Sequence, residues 1–259
     1  MSTIVNLTNP IFTDLDKARE HFEAIRWPDG TYCPFCGTFD RVAALGGKSM
    51  GAGWYHCKDC RRKFTAAVGT IYERSHIPMT KWLLATHLMC ASKKGMSAHQ
   101  LHRMIGLPYK TAWFMAHRIR EGMRDLAPAS PLGGEGKVVE IDETYVGGKE
   151  KNKHRNKCSA SNIGSTGKEI AFSLVERGEV HTNTIEGYFS ILKRGIIGTY
   201  HHVSQQHLKR YLAEFDFRYN ERSALNVTDL ERATKAVKGV VGKRVIYQGT
   251  NNSYPKMAH

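Results

Sequence analysis

The spacing of apolar residues predicts that most of the first half of the chain is helical. Residues 13–26 form the first predicted helix, which Thr13 can cap and in which apolar side chains recur at helical intervals: Leu15, Ala18, Phe22 and Ile25. From Thr80 onwards, three more helical segments are predicted, with glycine or proline at positions 95 and 106–108 between them. Residues 127–137, APASPLGGEGK, have the composition of a linker.

The pattern changes after this linker. Residues 138–146 and 169–176 have strand character, whereas 183–195 and 204–222 carry apolar residues at the helical period. We therefore predict an α+β, multidomain organisation. Its parts are an N-terminal helix and cysteine module (1–72), a helical segment (73–126), the linker (127–137), a mixed α and β domain (138–248) and a loose tail (249–259).

Composition narrows the class of partner. The 259 residues carry a formal net charge of +14, and lysine and arginine are spread along the whole chain. Such an excess repels itself unless a polyanion neutralises it, which favours nucleic acid as the partner. No apolar run approaches the roughly 20 residues of a membrane helix. Because the first residues include acids where a signal peptide needs basic residues, we expect a cytoplasmic protein that does not insert into membranes.

Two C-x-x-C pairs, twenty residues apart, predict a structural zinc site. The four ligands would be Cys33, Cys36, Cys57 and Cys60. The alternatives are disulfides and a redox-active pair. A cytoplasmic setting argues against disulfides, and a redox motif would not need the matched second C-x-x-C pair. Cys90 and Cys158 have no partner pair. Since protein thiolates fill all four positions, this zinc would fold the module and would not catalyse a reaction.

A helix-turn-helix pattern follows the cysteine module. Ser97 caps a short helix, Gly106-Leu107-Pro108 makes the turn, and a second helix spans 109–123. One face of that helix is polar and basic, with Lys110, His117, Arg118 and Arg120. This layout is typical of a helix that reads the DNA major groove, although a helical hairpin that only packs has the same pattern. We predict that Lys110, Arg118 and Arg120 contact DNA.

Two polar patterns in the second half suggest phosphoryl-transfer chemistry. In the strand 138–146, alternation places Asp142 on a face with other polar residues, so it is either a metal ligand or a solvated side chain. In the following helix, Asn183, Glu186, Ser190 and Lys193 form a stripe opposite the apolar face. A capping box explains Asn183 and Glu186 equally well but does not explain Lys193.

Several motifs together resemble the bacterial DDE transposases of the zinc-ribbon, ISXO-like insertion sequences: CPFCG, YHCKDCRRKF, YKTAWFMAHRIR, EIDETYVGGKEKNKH, HTNTIEGYFSILKRGIIGTYHHVS and YLAEFDFRYNER. The resemblance implies an RNase H-like catalytic domain that uses Mg²⁺ or Mn²⁺ to cleave and transfer DNA strands at terminal inverted repeats. It implies that Asp142 is the first catalytic aspartate and that either Glu186 or Asn183 is the third ligand. Lys193 and Arg194 would contact DNA.

The second aspartate of that family is missing, because no Asp lies between Asp142 and Asp216. Only 43 residues, 143–185, separate Asp142 from Glu186, too few for the further strands and helix that the family places there. Glu176 and Glu179 are poor replacements, since both lie at the end of the second strand. We therefore expect an internally deleted, truncated RNase H-like domain without strand-transfer activity.

Three functional hypotheses remain at this point. The first is a transposase by descent that is catalytically defective. The second is a DNA-binding-only protein that keeps terminal-repeat binding through residues 1–126 and acts as a repressor or inhibitor, by occupying sites or by assembling with intact copies. The third is a zinc-ribbon transcription factor without transposon history, which the motifs of the second half argue against. Assembly with further copies of itself is left open.

Overall fold

The computed structural model describes residues 7–47, 50–124, 135, 138–147, 168–177 and 183–245. In chain order the helices and strands are α1 (Leu15–Arg26), β1 (Val42–Leu45), β2 (Trp54–Cys57), β3 (Lys63–Thr65), α2 (Met79–Ala91), α3 (Ala98–Ile105), α4 (Tyr109–Met123), β4 (Val138–Val146), β5 (Glu169–Arg177), α5 (Asn183–Gly195), α6 (Gln205–Asn220) and α7 (Asp229–Lys238). The predicted helices and strands are confirmed in type and order. None of the described helices is long and apolar enough to cross a membrane.

The N-terminal core forms around α2, whose side chains are apolar on nearly all sides. Helix α1 packs against α2, and the ribbon of β1, β2 and β3 adds Phe64 and two of its cysteines to the same core. Asp14 caps α1 by accepting hydrogen bonds from the backbone N–H groups of Asp16 and Lys17, so the cap lies one residue after the predicted Thr13. Trp82 and Met89 of α2 are fully buried at the centre.

Helix α7 returns to this N-terminal core although it lies near the other end of the chain. Ala233, Ala236 and Val237 are buried among residues of α1, α2 and α4. Beyond the helix, the N–H of Gly242 donates to the carbonyl oxygen of Gly69 at 2.8 Å. Helix α7 was not predicted from the sequence, although Thr228 and Glu231 form a capping box at its start.

Strands β4 and β5 pair antiparallel, with Asp142 opposite Ser173 and Thr144 opposite Ala171. Helix α5 covers this face of the hairpin, where Thr144, Val146 and Ala171 are buried against Ile185 and Phe189. The opposite face carries apolar side chains that are exposed: Ile141, Tyr145, Ile170, Phe172 and Leu174. The more polar face of β4 is therefore the one that faces the protein. In the parts of the chain that the structure describes, these strands form a two-stranded sheet, and the predicted RNase H-like core stays a prediction.

Helices α5 and α6 are joined through a single π-helical turn, Ile196–Tyr200. At this point Gly195 lies so close to α6 that a Cβ atom there would be 2.3 Å from Phe215, a separation that only glycine allows. Helix α6 also packs against α4, and their contact includes the buried side chains of Arg120 and Glu214. The second half of the chain is thus connected to the first through α4 as well as through α7.

Candidate functional site

The four predicted zinc ligands lie together. Their sulfur atoms are all within 4.8 Å of one another, and the Cys33–Cys60 and Cys36–Cys57 Sγ distances are both 3.6 Å. A tetrahedral zinc with sulfurs at about 2.3 Å requires sulfurs about 3.8 Å apart, which is close to these distances. Among the described residues, these four cysteines are the one group of three or more side chains close enough together to hold a metal ion. The cluster is a structural zinc site.

The two knuckles of this site have matched backbones. The residue after each second cysteine, Gly37 or Arg61, has a left-handed conformation, with φ of 78° and 56°. In each knuckle the N–H of the next residue, Thr38 or Arg62, donates to the sulfur of the second cysteine, Cys36 or Cys60. Burial raises the pKa of the Cys33 thiol, but hydrogen bonds from the N–H groups of Phe35 and Cys36 outweigh it and lower the pKa to about 7. These two N–H groups therefore stabilise the thiolate form of Cys33.

The outer surface of the ribbon is basic and aromatic. Its exposed cations are Arg41, Lys58, Arg61, Arg62 and Lys63. The guanidinium of Arg62 lies 4.8 Å from the ring centre of Phe35, which is itself exposed. Only Arg41 of these cations forms an ion pair within the ribbon that the structure describes, with Asp59 at 2.7 Å. The remaining charges face solvent and can meet phosphate groups.

The helix-turn-helix segment has the predicted shape but exposes a different surface. Ser97 caps α3 by accepting from the N–H of Gln100, and Gly106 ends α3 in a left-handed conformation. Of α4, the first turn is exposed with Lys110, whereas residues 115–123 are all buried. The accessible surface of the pair therefore consists of the start of α4 together with exposed residues of α3: His99, Gln100 and Arg103.

The prediction that Arg118 and Arg120 face DNA is wrong. Arg118 is 8% exposed, lies over the Trp82 ring and donates to the carbonyl oxygen of Glu73 at 2.8 Å. Arg120 is 1% exposed and donates through Nε to Glu214 at 2.6 Å. Both side chains are buried, Arg120 in an ion pair and Arg118 against a carbonyl oxygen and an aromatic ring, so neither faces solvent where it could meet phosphate groups.

Asp142 and two residues of the polar stripe, Glu186 and Lys193, line one open cleft. Asp142 of β4 and Glu186 and Lys193 of α5 border a space of about 400 Å³, which Glu143, Phe189, Ser190 and Arg194 complete. Helical spacing places Glu186, Ser190 and Lys193 along one exposed side of α5, at the edge of its contact with the hairpin through Phe189. Asp142 accepts a hydrogen bond from the N–H of Glu143 at 2.8 Å. The cleft thus combines carboxylates with two exposed cations.

Two further observations concern the ligands of this cleft. Asn183 begins α5, but its side chain lies outside the described part of the structure. Glu140, two residues before Asp142 on the same strand face, was not selected from the sequence. Both of its carboxylate oxygens are buried and accept no hydrogen bond, and the hydroxyl of Thr144 is in the same situation. Alternation around Asp142 was the signal that could have identified Glu140.

Comparisons with known proteins match both halves of the chain. A transposase zinc-ribbon domain matches residues 14–63, and an ISXO2-like transposase domain matches residues 175–220. An uncharacterized protein in the transposable element ISH50 of Halobacterium salinarum is 35% identical over 151 residues, which are 58% of this chain and 48% of that protein. The chain thus spans about half the length of this curated relative. No solved structure matches. The two domain matches include all four cysteines, Glu186 and Lys193, whereas Asp142 lies outside both.

Proposed function

We propose that the chain is by descent an insertion-sequence transposase of the ISXO2-like family, which binds double-stranded DNA at the terminal inverted repeats of its element but does not transfer strands. The observation that carries the proposal is the cleft lined by Asp142, Glu186 and Lys193. It contains the groups that a phosphoryl-transfer site uses, yet it lacks a second aspartate. The function is therefore that of a transposase by descent.

The carboxylate oxygens of the cleft are ligand atoms of the type that hard cations prefer. Asp142 and Glu186 would hold Mg²⁺ or Mn²⁺, which neutralises charge on a phosphate, and Lys193 and Arg194 would bind phosphate oxygens. The buried and unpaired carboxylate of Glu140 supports a cation near this face of β4. Two-metal cleavage, however, needs carboxylates that hold two ions about 4 Å apart. Since Asp142 is the sole aspartate among the described residues that line the cleft, we propose that cleavage is lost.

Two surfaces support DNA binding. The ribbon presents unpaired cations beside an exposed aromatic ring, and the helix pair adds two exposed cations, Arg103 of α3 and Lys110 at the start of α4. In a helix-turn-helix, residues at the N-terminal end of the second helix contact base edges, which agrees with the part of α4 that is exposed here. We propose that Lys110 and Arg103 contact DNA, in place of Arg118 and Arg120.

A second candidate function differs only in the role of the cleft. As a DNA-binding-only protein, the chain would act as a repressor or inhibitor of intact transposase copies, by occupying their repeats or by joining their assemblies. The exposed apolar face of the β4–β5 hairpin favours this candidate, because contiguous apolar surface marks sites of protein association. Homo-oligomer formation through the same face belongs to this proposal.

The experiment that tests the proposal measures binding and cleavage separately. Labelled duplexes that carry the terminal repeats are incubated with the protein and Mg²⁺ or Mn²⁺, and products are resolved beside a gel-shift assay. Asp142→Ala tests the cleft, whereas Lys110→Ala tests the binding surface and Arg118→Ala is not informative because it disturbs the core.

We expect repeat-specific binding, no cleaved or joined product, and no change in binding for Asp142→Ala. For Lys110→Ala we expect weaker binding and a salt dependence reduced by about one phosphate contact. Metal-dependent joining that Asp142→Ala abolishes would show that another acid completes the site. Absence of repeat-specific binding would reject both candidate functions.

A further inference from the structure

A second cavity lies away from the cleft and shares no lining residue with it. Its volume is about 250 Å³, and it is enclosed by the end of α2, by α5 and α6, and by the start of α7. The interior wall is apolar and largely aromatic, with Tyr188, Ile191, Phe215 and Tyr219. The mouth is formed by exposed residues, among them Lys93 and Ala224. The space is far larger than a lone water or phosphate requires.

The charged residues around this cavity are mainly cations. Lys93, Arg218, Arg222 and Arg232 line it together with a single acid, Asp229. Asp229 pairs with Arg232 at 2.6 Å, and Arg232 also donates to the carbonyl oxygens of Glu221 and Cys90. Arg222 makes one hydrogen bond, to the carbonyl oxygen of Tyr219. The lining thus has an excess of positive charge that its own acid does not balance.

Arg218 is the residue that most clearly points to a ligand. It is 7% exposed, and its Nη1 donates to Glu214, but its Nε and Nη2 are buried without a hydrogen-bond partner. Glu214 is shared, since it also accepts from Arg120. The carboxylate of Glu214 therefore contacts two guanidinium groups, and these three buried side chains together carry a net charge of +1. Arginine stays protonated, so this positive charge cannot be removed by loss of a proton. Buried donors without a partner are costly, so an anion bound in the cavity would stabilise the protein.

We propose that this cavity binds a nucleotide, with the base against the aromatic wall and the phosphate facing Arg218, Arg222 and Lys93. Aromatic rings and arginine planes accept any base by stacking, and guanidinium groups pair with phosphate oxygens. The nucleotide is either free in solution or the unpaired terminal nucleotide of a DNA end. The second source rests on the proposed DNA-binding function, whereas the first does not.

The test for the free nucleotide uses calorimetric titration of the full chain with adenosine monophosphate, adenosine and inorganic phosphate. We expect binding of adenosine monophosphate that is at least tenfold weaker for Arg222→Ala and for Lys93→Ala, since each removes one charged contact with phosphate. Lys209→Ala is the matched control, because Lys209 is an exposed cation on α6 outside this cavity. Adenosine and inorganic phosphate should each bind more weakly than the nucleotide.

The DNA source is tested with duplexes that end in one unpaired 2-aminopurine nucleotide, compared with a blunt duplex of the same sequence. We expect a fluorescence change for the overhang that Arg222→Ala abolishes, while blunt-duplex binding stays the same. Adenosine monophosphate binding without an overhang signal would assign the cavity to free nucleotides. If neither nucleotide form binds, or if Arg222→Ala and Lys93→Ala bind like Lys209→Ala, the proposal is overturned. Blunt-duplex binding reports separately on the proposed function.

Discussion

Arg120 of α4 and Glu214 of α6 form an ion pair that is closed to solvent. The Nε–Oε2 distance is 2.6 Å, and the two side chains are 1% and 0% exposed. Burial would raise the pKa of Glu214, but the charges of Arg218 and Arg120 outweigh it and lower that pKa. The hydroxyl of Tyr200 donates to the same carboxylate at 2.8 Å. This carboxylate therefore connects α4, α6 and the π-helical turn between α5 and α6.

Replacing this carboxylate should destabilise the fold strongly. Glu214→Gln leaves two buried guanidiniums without a counter-charge, so we expect the free energy of unfolding to fall by about 3–5 kcal/mol in urea titrations. Arg210→Ala is the control, because Arg210 pairs with Glu121 across the same two helices but is 31% exposed. It should cost less than about 1 kcal/mol. Equal losses for the two variants would contradict this account.

The stability of the protein should fall in mild acid because of His117. Burial, together with the charges of Arg120, His207 and Arg210, lowers the pKa of His117 to about 2. In the unfolded chain this ring takes up a proton near pH 6.5, whereas in the folded protein it stays neutral down to about pH 2. The contribution of His117 to the free energy of unfolding is therefore present above pH 6.5 and is lost as the pH falls towards 2, by up to about 1.4 kcal/mol per pH unit.

His117→Phe should reduce this pH dependence, because phenylalanine fills the same site beside Trp113, whose ring centre lies 4.2 Å from that of His117, without taking up a proton. The measurement is urea unfolding at intervals between pH 7 and pH 5. His202→Gln, an exposed replacement, should keep the slope of the parent protein. A slope that His117→Phe leaves unchanged would assign the effect to other groups.

Removal of zinc should unfold more than the ribbon. Cys33, Cys57 and Phe64 are buried in the same core as Trp27 and Phe22, so loss of the metal exposes part of that core. We expect chelation to release one zinc per chain and to reduce the helical circular dichroism signal cooperatively. Cys60→Ser should bind zinc weakly, whereas Cys90→Ala, outside the ribbon, should retain it. A helical signal that survives complete zinc release would show that the core does not depend on the ribbon.

Arg61 occupies a position that suits glycine. Its φ of 56° matches the left-handed conformation that Gly37 adopts in the first knuckle. A side chain costs energy in this region, so Arg61→Gly should stabilise the zinc-bound ribbon by about 0.5–1 kcal/mol, measured by thermal unfolding. Arg62→Gly is the comparison and should destabilise, because it removes the contact with Phe35. The idea fails if both replacements act in the same direction.

The contact between α4 and the end of α7 has no space for a side chain at Gly239. A Cβ atom there would lie 2.5 Å from the carbonyl oxygen of Gly122. Gly239→Ala should therefore cost about 1–3 kcal/mol in the free energy of unfolding. Gly187→Ala provides the contrast, since nothing lies within 4 Å of its added methyl group. In the middle of α5 it should stabilise by up to about 1 kcal/mol.

Local patterns were sufficient to predict the zinc ligands and most of the helices and strands, although not β1 or α7. Each C-x-x-C pair is a property of four consecutive residues, and the two pairs need only a short ribbon between them to meet. The strands β4 and β5 and the helices α5 and α6 likewise follow from alternation and helical spacing. Helical spacing also explains why Glu186 and Lys193 border the same cleft.

Partners that are distant in sequence could not be predicted. Arg120 looks like a surface cation in its own helix, because its carboxylate lies 94 residues further along the chain. The hairpin presents the same difficulty, since alternation defines two faces without showing which one α5 covers. The face with Asp142 and Thr144 is covered, and the face with Ile141 and Phe172 is exposed. Both outcomes depend on packing between elements.

The position of α7 has a consequence for how the protein is made. The N-terminal core is complete only when Ala233, Ala236 and Val237 have reached α1, α2 and α4. During translation these residues leave the ribosome long after the ribbon and α2. The apolar surface of the N-terminal half that α7 covers therefore stays exposed to solvent until nearly the whole chain has been synthesised. In a nascent chain the ribbon can therefore fold before the N-terminal core is complete. An early stop codon would remove the stability of the N-terminal half along with the C-terminal helix.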